Sequence, residues 1–235
     1  MSEPAPAIDL FGTPLAAAGG KARQLPLPLA WAGQNGGNTP DFLVSDSNRE
    51  AVRHLFEADW AAPAMLLTGP AGSGRSTLAG LAAERLGCTV VDPLELADEE
   101  ALFHAWNRAR DDGGRLLIVT ASTASIDTLA VPDLRTRLRA SPVAEIGAPD
   151  ACLTRDLVEL LLTRRGLVPA PQLGSYVAAR IERSYSAIHA AVGAIDAASL
   201  ASGAAPGVRL ARMALIETGL FDPAGQSEEG QEEAA

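Results

Sequence analysis

The chain has few aromatic residues, few cysteines and no excess of basic residues. Aromatic residues make up 4% of its 235 residues, and the only cysteines are Cys88 and Cys152. Two isolated cysteines do not make a disulfide framework and are typical of small buried side chains in a reducing compartment. The formal net charge of −10 argues against nonspecific binding to nucleic acid, because such binding needs a basic surface.

Long apolar runs are absent as well. No stretch approaches the roughly 18 apolar residues of a membrane-spanning helix, and the N-terminus lacks the basic end and apolar run of a secretory signal. The three histidines, His54, His104 and His189, are far apart, and no spacing fits a zinc site. These observations predict a soluble, cytoplasmic protein without a membrane partner, large enough for an α/β domain and a small second domain.

The clearest motif runs from Met65 to Leu78, where an apolar strand turns through glycines and opens a helix. It fits the P-loop pattern G-x-x-x-x-G-K-[ST], except that Arg75 stands at the lysine position. Glycines let successive backbone N–H groups curl around a phosphate, and the helix adds its positive N-terminal end. We therefore predict binding of ADP or ATP with Mg²⁺. The predicted nucleotide-binding residues are Gly69, Gly72, Gly74, Arg75, Ser76 and Thr77.

Arg75 keeps the charge of the lysine, but its planar fork is not a compact ammonium, which favours phosphate binding over phosphoryl transfer. The predicted magnesium ligands are Ser76 and Asp92. Asp92 follows Cys88 to Val91, which we expect to be a short buried strand beside the P-loop strand. Two simpler interpretations stay open: a glycine-rich turn without a ligand, and an Asp92 that only caps the turn before Pro93.

Strands and helices alternate between residues 41 and 149, which predicts an α/β core with four parallel strands and right-handed crossovers. From residue 150 to 220 the apolar spacing is helical only, which predicts a small all-α lid. Residues 1–40 are predicted to be a flexible leader and 221–235 a disordered acidic tail. The predicted helices are 49–60, after caps at 45–48, then 98–111, 132–139, 151–165, about 171–182, 185–201 and 207–219.

Two further segments have open interpretations. Gln24 to Leu29 alternates leucine with proline, which excludes a helix and a central strand. Its leucines would either dock into an apolar pocket of another protein or fold back onto the domain. Pro132 to Arg139 is a basic helix, which would be either a solvated charged face or a source of arginine for a nucleotide phosphate.

A P-loop core followed by a helical lid resembles the AAA+ ATPases, and more closely the Hda family, short relatives of the bacterial initiator DnaA. Gln24 to Leu29 resembles the family's sliding-clamp-binding motif. The stretches from Asp98 to His104 and from Pro132 to Leu138 resemble its alphaproteobacterial branch. The resemblance covers about Gln24 to Ala201. The residues Phe42-Leu43-Val44 with Ser47-Asn48, before the first helix, also resemble the segment that begins the core in this family.

The resemblance implies a protein of replication control. Arg137 would be the arginine finger that acts on ATP bound to DnaA, and the strand ending at Thr120 would be the sensor 1 strand. The complex with the clamp would stimulate hydrolysis of DnaA-bound ATP and so prevent a second initiation. The implied partners are the DNA polymerase sliding clamp and DnaA, with homo-oligomerisation possible. The implied clamp-binding residues are Gln24, Leu25, Leu27 and Leu29.

The sequence departs from the family in three ways. Arg75 replaces the P-loop lysine, one βα unit of the AAA+ sheet is missing near the Walker B position, and Ser184-Tyr185-Ser186 stands where the sensor 2 arginine is expected. These losses predict little ATPase activity of its own but leave an arginine finger acting on a partner unaffected. No helix-turn-helix signature indicates sequence-specific DNA binding. The alternative functions are a small P-loop nucleotide-dependent enzyme and a nucleotide-free clamp-binding scaffold.

Overall fold

The structure, a computed structural model, describes residues 42–221. The predicted leader with its clamp-binding motif and the predicted acidic tail lie outside these residues. The described chain contains a four-stranded parallel sheet, as predicted, in the order β2-β3-β1-β4. The strands are β1 (Ala64–Thr68), β2 (Thr89–Val91), β3 (Leu116–Val119) and β4 (Val143–Glu145).

Eight α-helices accompany the strands within residues 42–221. The core contains α1 (Asp46–Phe56), α2 (Arg75–Leu86), α3 (Glu99–Asp111) and α4 (Pro132–Arg139), and the lid contains α5 (Ala151–Arg164), α6 (Leu173–Ala178), α7 (Tyr185–Ser202) and α8 (Val208–Glu217). Short 3₁₀ helices at Leu94–Leu96 and Thr123–Thr128 follow β2 and β3. The four predicted lid helices are therefore present.

The first helix begins and ends earlier than predicted. Its N-cap is Ser45, whose backbone N–H donates a hydrogen bond of 2.8 Å to Oδ1 of Asn48. The predicted caps were residues 45–48, and Ser45 is indeed the N-cap. Residues 46–48 form the first turn instead, because the Asn48 side chain satisfies the N-cap amide from inside the helix. The helix ends at Phe56, and Trp60 donates its indole N–H back to the carbonyl of Leu55.

Strand β2 contradicts two predictions. It lies at the edge of the sheet and its residues are exposed or half-buried, so the expected buried strand is wrong. It pairs with β3, and β3 separates it from the P-loop strand β1, so Asp92 does not follow a strand beside the P-loop. A three-residue edge strand has one neighbour and therefore loses less water than the central strands β1 and β3, which are buried throughout.

Apolar packing joins the lid to the core. One cluster covers the sheet face below α1 and α2, and it includes Leu153 from α5 and Tyr185 from α7. A second cluster holds the lid helices together, and a third covers the opposite sheet face under α3 and α4. Cys88 is buried as expected, but Cys152 is exposed in the first turn of α5, so that expectation was wrong for Cys152. No helix within residues 42–221 is long and apolar enough to span a membrane.

Candidate functional site

The P-loop joins the buried strand β1 to helix α2. Gly72 and Gly74 have φ angles of +78° and +85°, a backbone region that L side chains rarely adopt. A Cβ at Gly74 would lie 3.1 Å from the Phe42 ring, and one at Gly69 would lie 2.9 Å from Cβ of Ile146. Both the backbone conformation and the lack of room for a Cβ thus require glycine at these positions. A loop that wraps tightly around an anion needs such glycines.

Ser73 gives a second indication of a ligand. The residue is 6% exposed, and its hydroxyl has no hydrogen-bond partner among the described residues. A buried hydroxyl without a partner costs about 1–3 kcal/mol, and a phosphate oxygen in the loop would supply an acceptor. The glycine cradle and this hydroxyl therefore fit the phosphate groups of a nucleotide.

A cleft lies between the P-loop and the lid. Its apolar wall comes from Phe42 and from the leucines of helix α5, and Gly72, Ser73 and Thr77 line its polar end. The cleft encloses about 150 Å³, whereas ligand pockets in proteins usually measure about 300–1,000 Å³. The apolar wall fits the chemistry of a nucleotide base, and the polar end fits that of a phosphate.

Three of the predicted nucleotide-binding residues, Arg75, Ser76 and Thr77, form the first turn of α2. Arg75 is half-buried at the first helical position, Ser76 is exposed beside it, and Thr77 lines the cleft. No cluster of three or more His, Cys, Asp or Glu residues that could hold a metal occurs within residues 42–221. Magnesium at this loop would therefore depend on the Ser76 hydroxyl, phosphate oxygens and water, an arrangement that Mg²⁺ accepts.

The lid contributes a contact that the sequence did not reveal. His189 of α7 covers Gly72: a Cβ there would lie 3.0 Å from Cδ2 and 3.2 Å from Nε2 of its ring. Nε2 of His189 is 3.4 Å from the Gly72 carbonyl oxygen. Tyr185, one turn earlier, is buried and donates a hydrogen bond of 3.2 Å to the Gly147 carbonyl, and burial raises its pKa to about 12. Because 117 residues separate His189 from Gly72, no local pattern could have indicated this contact.

Glu95, rather than Asp92, contacts the end of the neighbouring strand. One oxygen of Glu95 accepts hydrogen bonds from the hydroxyls of Thr120 and Ser125, both at 2.7 Å, and from the Ala121 N–H at 3.1 Å. Loss of hydration would raise the pKa of this carboxyl, but these hydrogen bonds outweigh it and lower the pKa to about 2. Asp92 is exposed at the end of the edge strand β2.

Arg137, the predicted arginine finger, lies between α4 and α3. Its guanidinium carbon is 4.3 Å from the ring centre of Trp106 and 4.9 Å from that of Phe103. Nη1 donates a hydrogen bond of 2.8 Å to Asn107, and Nη2 forms an ion pair with Asp133. The side chain is 22% exposed and that of Asp133 is 54% exposed. The guanidinium of Arg137 is therefore held by two rings, a hydrogen bond and an ion pair, and Asp133 is the more exposed of the two ion-pair partners.

Comparison with known proteins identifies the fold. No protein-family model and no curated protein matches the chain. The crystal structure of domain III of the Thermotoga maritima replication initiation protein DnaA superimposes with a TM-score of 0.58 at 14% identity, covering 77% of this chain and 95% of that domain. A variant of Thermotoga maritima RuvB gives a TM-score of 0.51 at 14% identity, covering 72% of this chain and 66% of RuvB. The chain therefore shares the fold of these two proteins: a P-loop AAA+ α/β core with a shortened parallel sheet, followed by a helical lid.

Proposed function

We propose that this protein is a clamp-associated negative regulator of DNA replication initiation, which promotes hydrolysis of the ATP bound to DnaA. The observation that carries the proposal is the position of Arg137. It is anchored at the surface of a core whose fold is similar to domain III of DnaA. Two proteins of one fold can associate as neighbouring AAA+ subunits do, and Arg137 would then face the nucleotide of DnaA.

The contacts of Arg137 suit such a role. The aromatic rings and Asn107 hold the guanidinium in place, so its orientation requires no ordering when DnaA binds. The ion pair with Asp133, whose carboxylate is the more exposed partner, is the contact that must be exchanged for a phosphate. A phosphate accepts the arginine fork as a carboxylate does. The exchange therefore replaces one charge-assisted contact with another.

The remaining parts of the proposal concern the two other sites. Leu27 and Leu29 would fill an apolar pocket of the sliding clamp while the Gln24 amide bonds to its rim, which keeps the regulator at replicating DNA without DNA contacts of its own. The P-loop would hold ADP or ATP as a structural ligand, because Arg75 replaces the lysine and Asp92 lies two strands from the loop. Any self-association would use the same AAA+ faces.

The experiment measures hydrolysis of DnaA-bound ATP in the presence of clamp loaded on DNA. The wild-type protein should accelerate hydrolysis. The Arg137→Ala variant should lose at least about 100-fold of that stimulation, since an arginine finger contributes about 10³–10⁵ in rate. Arg139→Ala is the matched control, because Arg139 lies on the same helix in an exposed ion pair with Asp127. The variant Gln24→Ala, Leu27→Ala, Leu29→Ala should bind no clamp and give no stimulation.

Two outcomes would favour the alternatives. Full stimulation by Arg137→Ala, with its folding verified by circular dichroism, would contradict the arginine-finger role. Clamp binding without any stimulation by the wild-type protein would leave a nucleotide-free clamp-binding scaffold. Turnover of ATP by the isolated protein, abolished by Ser76→Ala, would instead favour a small P-loop enzyme.

A further inference from the structure

Helix α4, which carries Arg137, begins without a cap of its own. Its N-cap residue is Val131, whose side chain cannot accept a hydrogen bond, and Pro132 follows at the start of the helix. Helices usually begin with Ser, Thr, Asp or Asn at the N-cap, because these side chains accept a hydrogen bond from the first turn. The local sequence of α4 therefore does little to fix the start of the helix.

Glu99, in the first turn of α3, holds that start from another element. Its Oε1 accepts a hydrogen bond of 2.8 Å from the Ala130 N–H, and its Oε2 accepts one of 2.8 Å from the Val131 N–H. Both carboxylate oxygens are thus used on consecutive backbone groups, and hydrogen bonds to a charged acceptor are the stronger kind. Glu99 is half-buried, whereas the neighbouring Glu100 is exposed. The carboxylate of Glu99 therefore attaches the start of α4 to α3.

A second attachment between the same two helices lies at Arg137. Its Nη1 donates a hydrogen bond of 2.8 Å to Asn107, and its guanidinium carbon is 4.3 Å from the ring centre of Trp106. Asn107 lies about 12 Å after Glu99 along α3, and Arg137 lies about 9 Å after Val131 along α4, at 1.5 Å per residue. The two attachments have similar spacings on both helices, which holds α4 alongside α3 in the same direction.

Both attachments are needed to define where the guanidinium points. Contacts at the guanidinium act at the end of a long side chain with several rotatable bonds, so they leave the backbone of α4 free to tilt. Leu134 and Leu138 are fully buried under α4, but apolar contacts are not directional. The contact with Glu99 acts on the backbone itself. A displacement of about 1 Å at a reacting group can cost about 100-fold in rate, so this tilt matters for catalysis.

We propose that Glu99 is a positioning residue for Arg137. By fixing the start of α4 against α3, it sets the orientation in which the guanidinium meets the nucleotide of a partner. The inference rests on the proposed role of Arg137 in the hydrolysis of DnaA-bound ATP. It assigns a part in that reaction to a carboxylate that contacts neither the nucleotide nor Arg137 itself.

The test is the rate of hydrolysis of DnaA-bound ATP at increasing concentrations of this protein, with clamp loaded on DNA. Glu99→Ala should lower the rate at saturation about 10- to 100-fold. It should change the concentration for half-maximal stimulation by less than about threefold, because the binding surfaces stay intact. Glu99→Gln keeps one of the two acceptor oxygens and should lose less. Glu100→Ala, at the exposed neighbouring position, is the matched control and should stay within about twofold of wild type.

A second variant separates positioning from the stability of α4. In the Glu99→Ala background, Val131→Thr supplies an N-cap hydroxyl on a side chain of similar size, so the urea midpoint should shift back towards the wild-type value. The rate of hydrolysis should stay low, because a hydroxyl on α4 does not attach this helix to α3. Recovery of the wild-type rate by the double variant would overturn the inference, since Glu99 would then only stabilise the helix.

A measurement on the full chain alone reports the order of Arg137 without DnaA. NMR relaxation of the Arg137 Nε–Hε bond should give a lower order parameter in Glu99→Ala than in wild type, and Glu100→Ala should leave it unchanged. An unchanged order parameter in Glu99→Ala, or full stimulation by that variant, would overturn the inference alone. Absence of stimulation by the wild-type protein would instead overturn the proposed function, and with it the part of Glu99 in the reaction, even where the order parameter falls.

Discussion

Gly72 is the residue at which the phosphate loop meets the lid. Its φ angle of +78° requires glycine for conformational reasons, and the His189 and Tyr185 side chains occupy the space that a Cβ would need. Gly87, at the end of α2, has a similar φ angle of +63° but nothing within 4 Å of the position of a Cβ. A comparison of alanine substitutions at the two glycines therefore distinguishes the cost of backbone strain from the cost of contact with the lid.

We expect Gly87→Ala to lower the free energy of unfolding by about 1–2 kcal/mol, the cost of a left-handed residue with a Cβ. Gly72→Ala should cost about 1 kcal/mol more, because the added methyl group displaces the His189 ring. Urea-induced unfolding measures both values. In the His189→Ala background the extra cost should shrink. An equal cost for both glycines in the wild-type background would mean that the lid does not contact the loop in solution.

At the scale of elements, hydrogen bonds connect the 3₁₀ helix after β2 to the loop after β3. The Glu95 carboxylate accepts them from three donors, Thr120, Ala121 and Ser125. Because β2 is a short edge strand, these bonds supplement its ladder with β3. A lowered carboxyl pKa means that the stabilisation is present above the ordinary value of 4.5 and is lost as the pH falls towards about 2.

The variant Glu95→Gln tests the contribution of these hydrogen bonds to stability. At pH 7 we expect it to lower the free energy of unfolding by about 1 kcal/mol, because the carboxylate is only partly shielded from water. The difference from wild type should narrow as the pH is lowered from 4.5 towards 2, since the wild-type carboxyl then becomes protonated. Glu100→Gln, at an exposed position on α3, is the control. A difference that stays constant over this range would show that the carboxylate is not stabilised in the folded protein.

For the whole molecule, the decisive contact is the one between core and lid. Tyr185 is 2% exposed, packs within the core cluster and donates its hydroxyl to the Gly147 carbonyl. Leu153 of α5 joins the same cluster from the other side of the cleft. Core and lid are thus one packed body, with the cleft between the P-loop and the lid helices.

Tyr185→Ala should therefore uncouple the lid from the core. We expect backbone amides of α5 to α8 to exchange hydrogen faster in the variant while β1 and β3 stay protected, as measured by hydrogen–deuterium exchange with mass spectrometry. Removal of a buried aromatic side chain costs about 3–5 kcal/mol. Tyr185→Phe keeps the packing and should lose only about 0.5–1.5 kcal/mol for its hydrogen bond. Uniform loss of protection in core and lid would contradict a separable lid.

Much of this architecture could be read from the sequence. The P-loop, the alternation of strands and helices and the four lid helices follow from glycine spacing and apolar periodicity, which act within a few residues of the chain. The boundaries of α1 were less predictable, because Ser45 and Asn48 can cap or form a first turn equally well.

The sequence by itself therefore determined the elements and the phosphate loop. The tertiary structure decided which elements and side chains lie next to one another. The strand order places β3 between β1 and β2, which removes Asp92 from the loop and brings Glu95 to Thr120. Packing of the lid sets His189 on Gly72, and packing of α4 on α3 sets Arg137 on Trp106. The physical reason is that such contacts join residues far apart in the chain, and only the packing of whole elements brings them together.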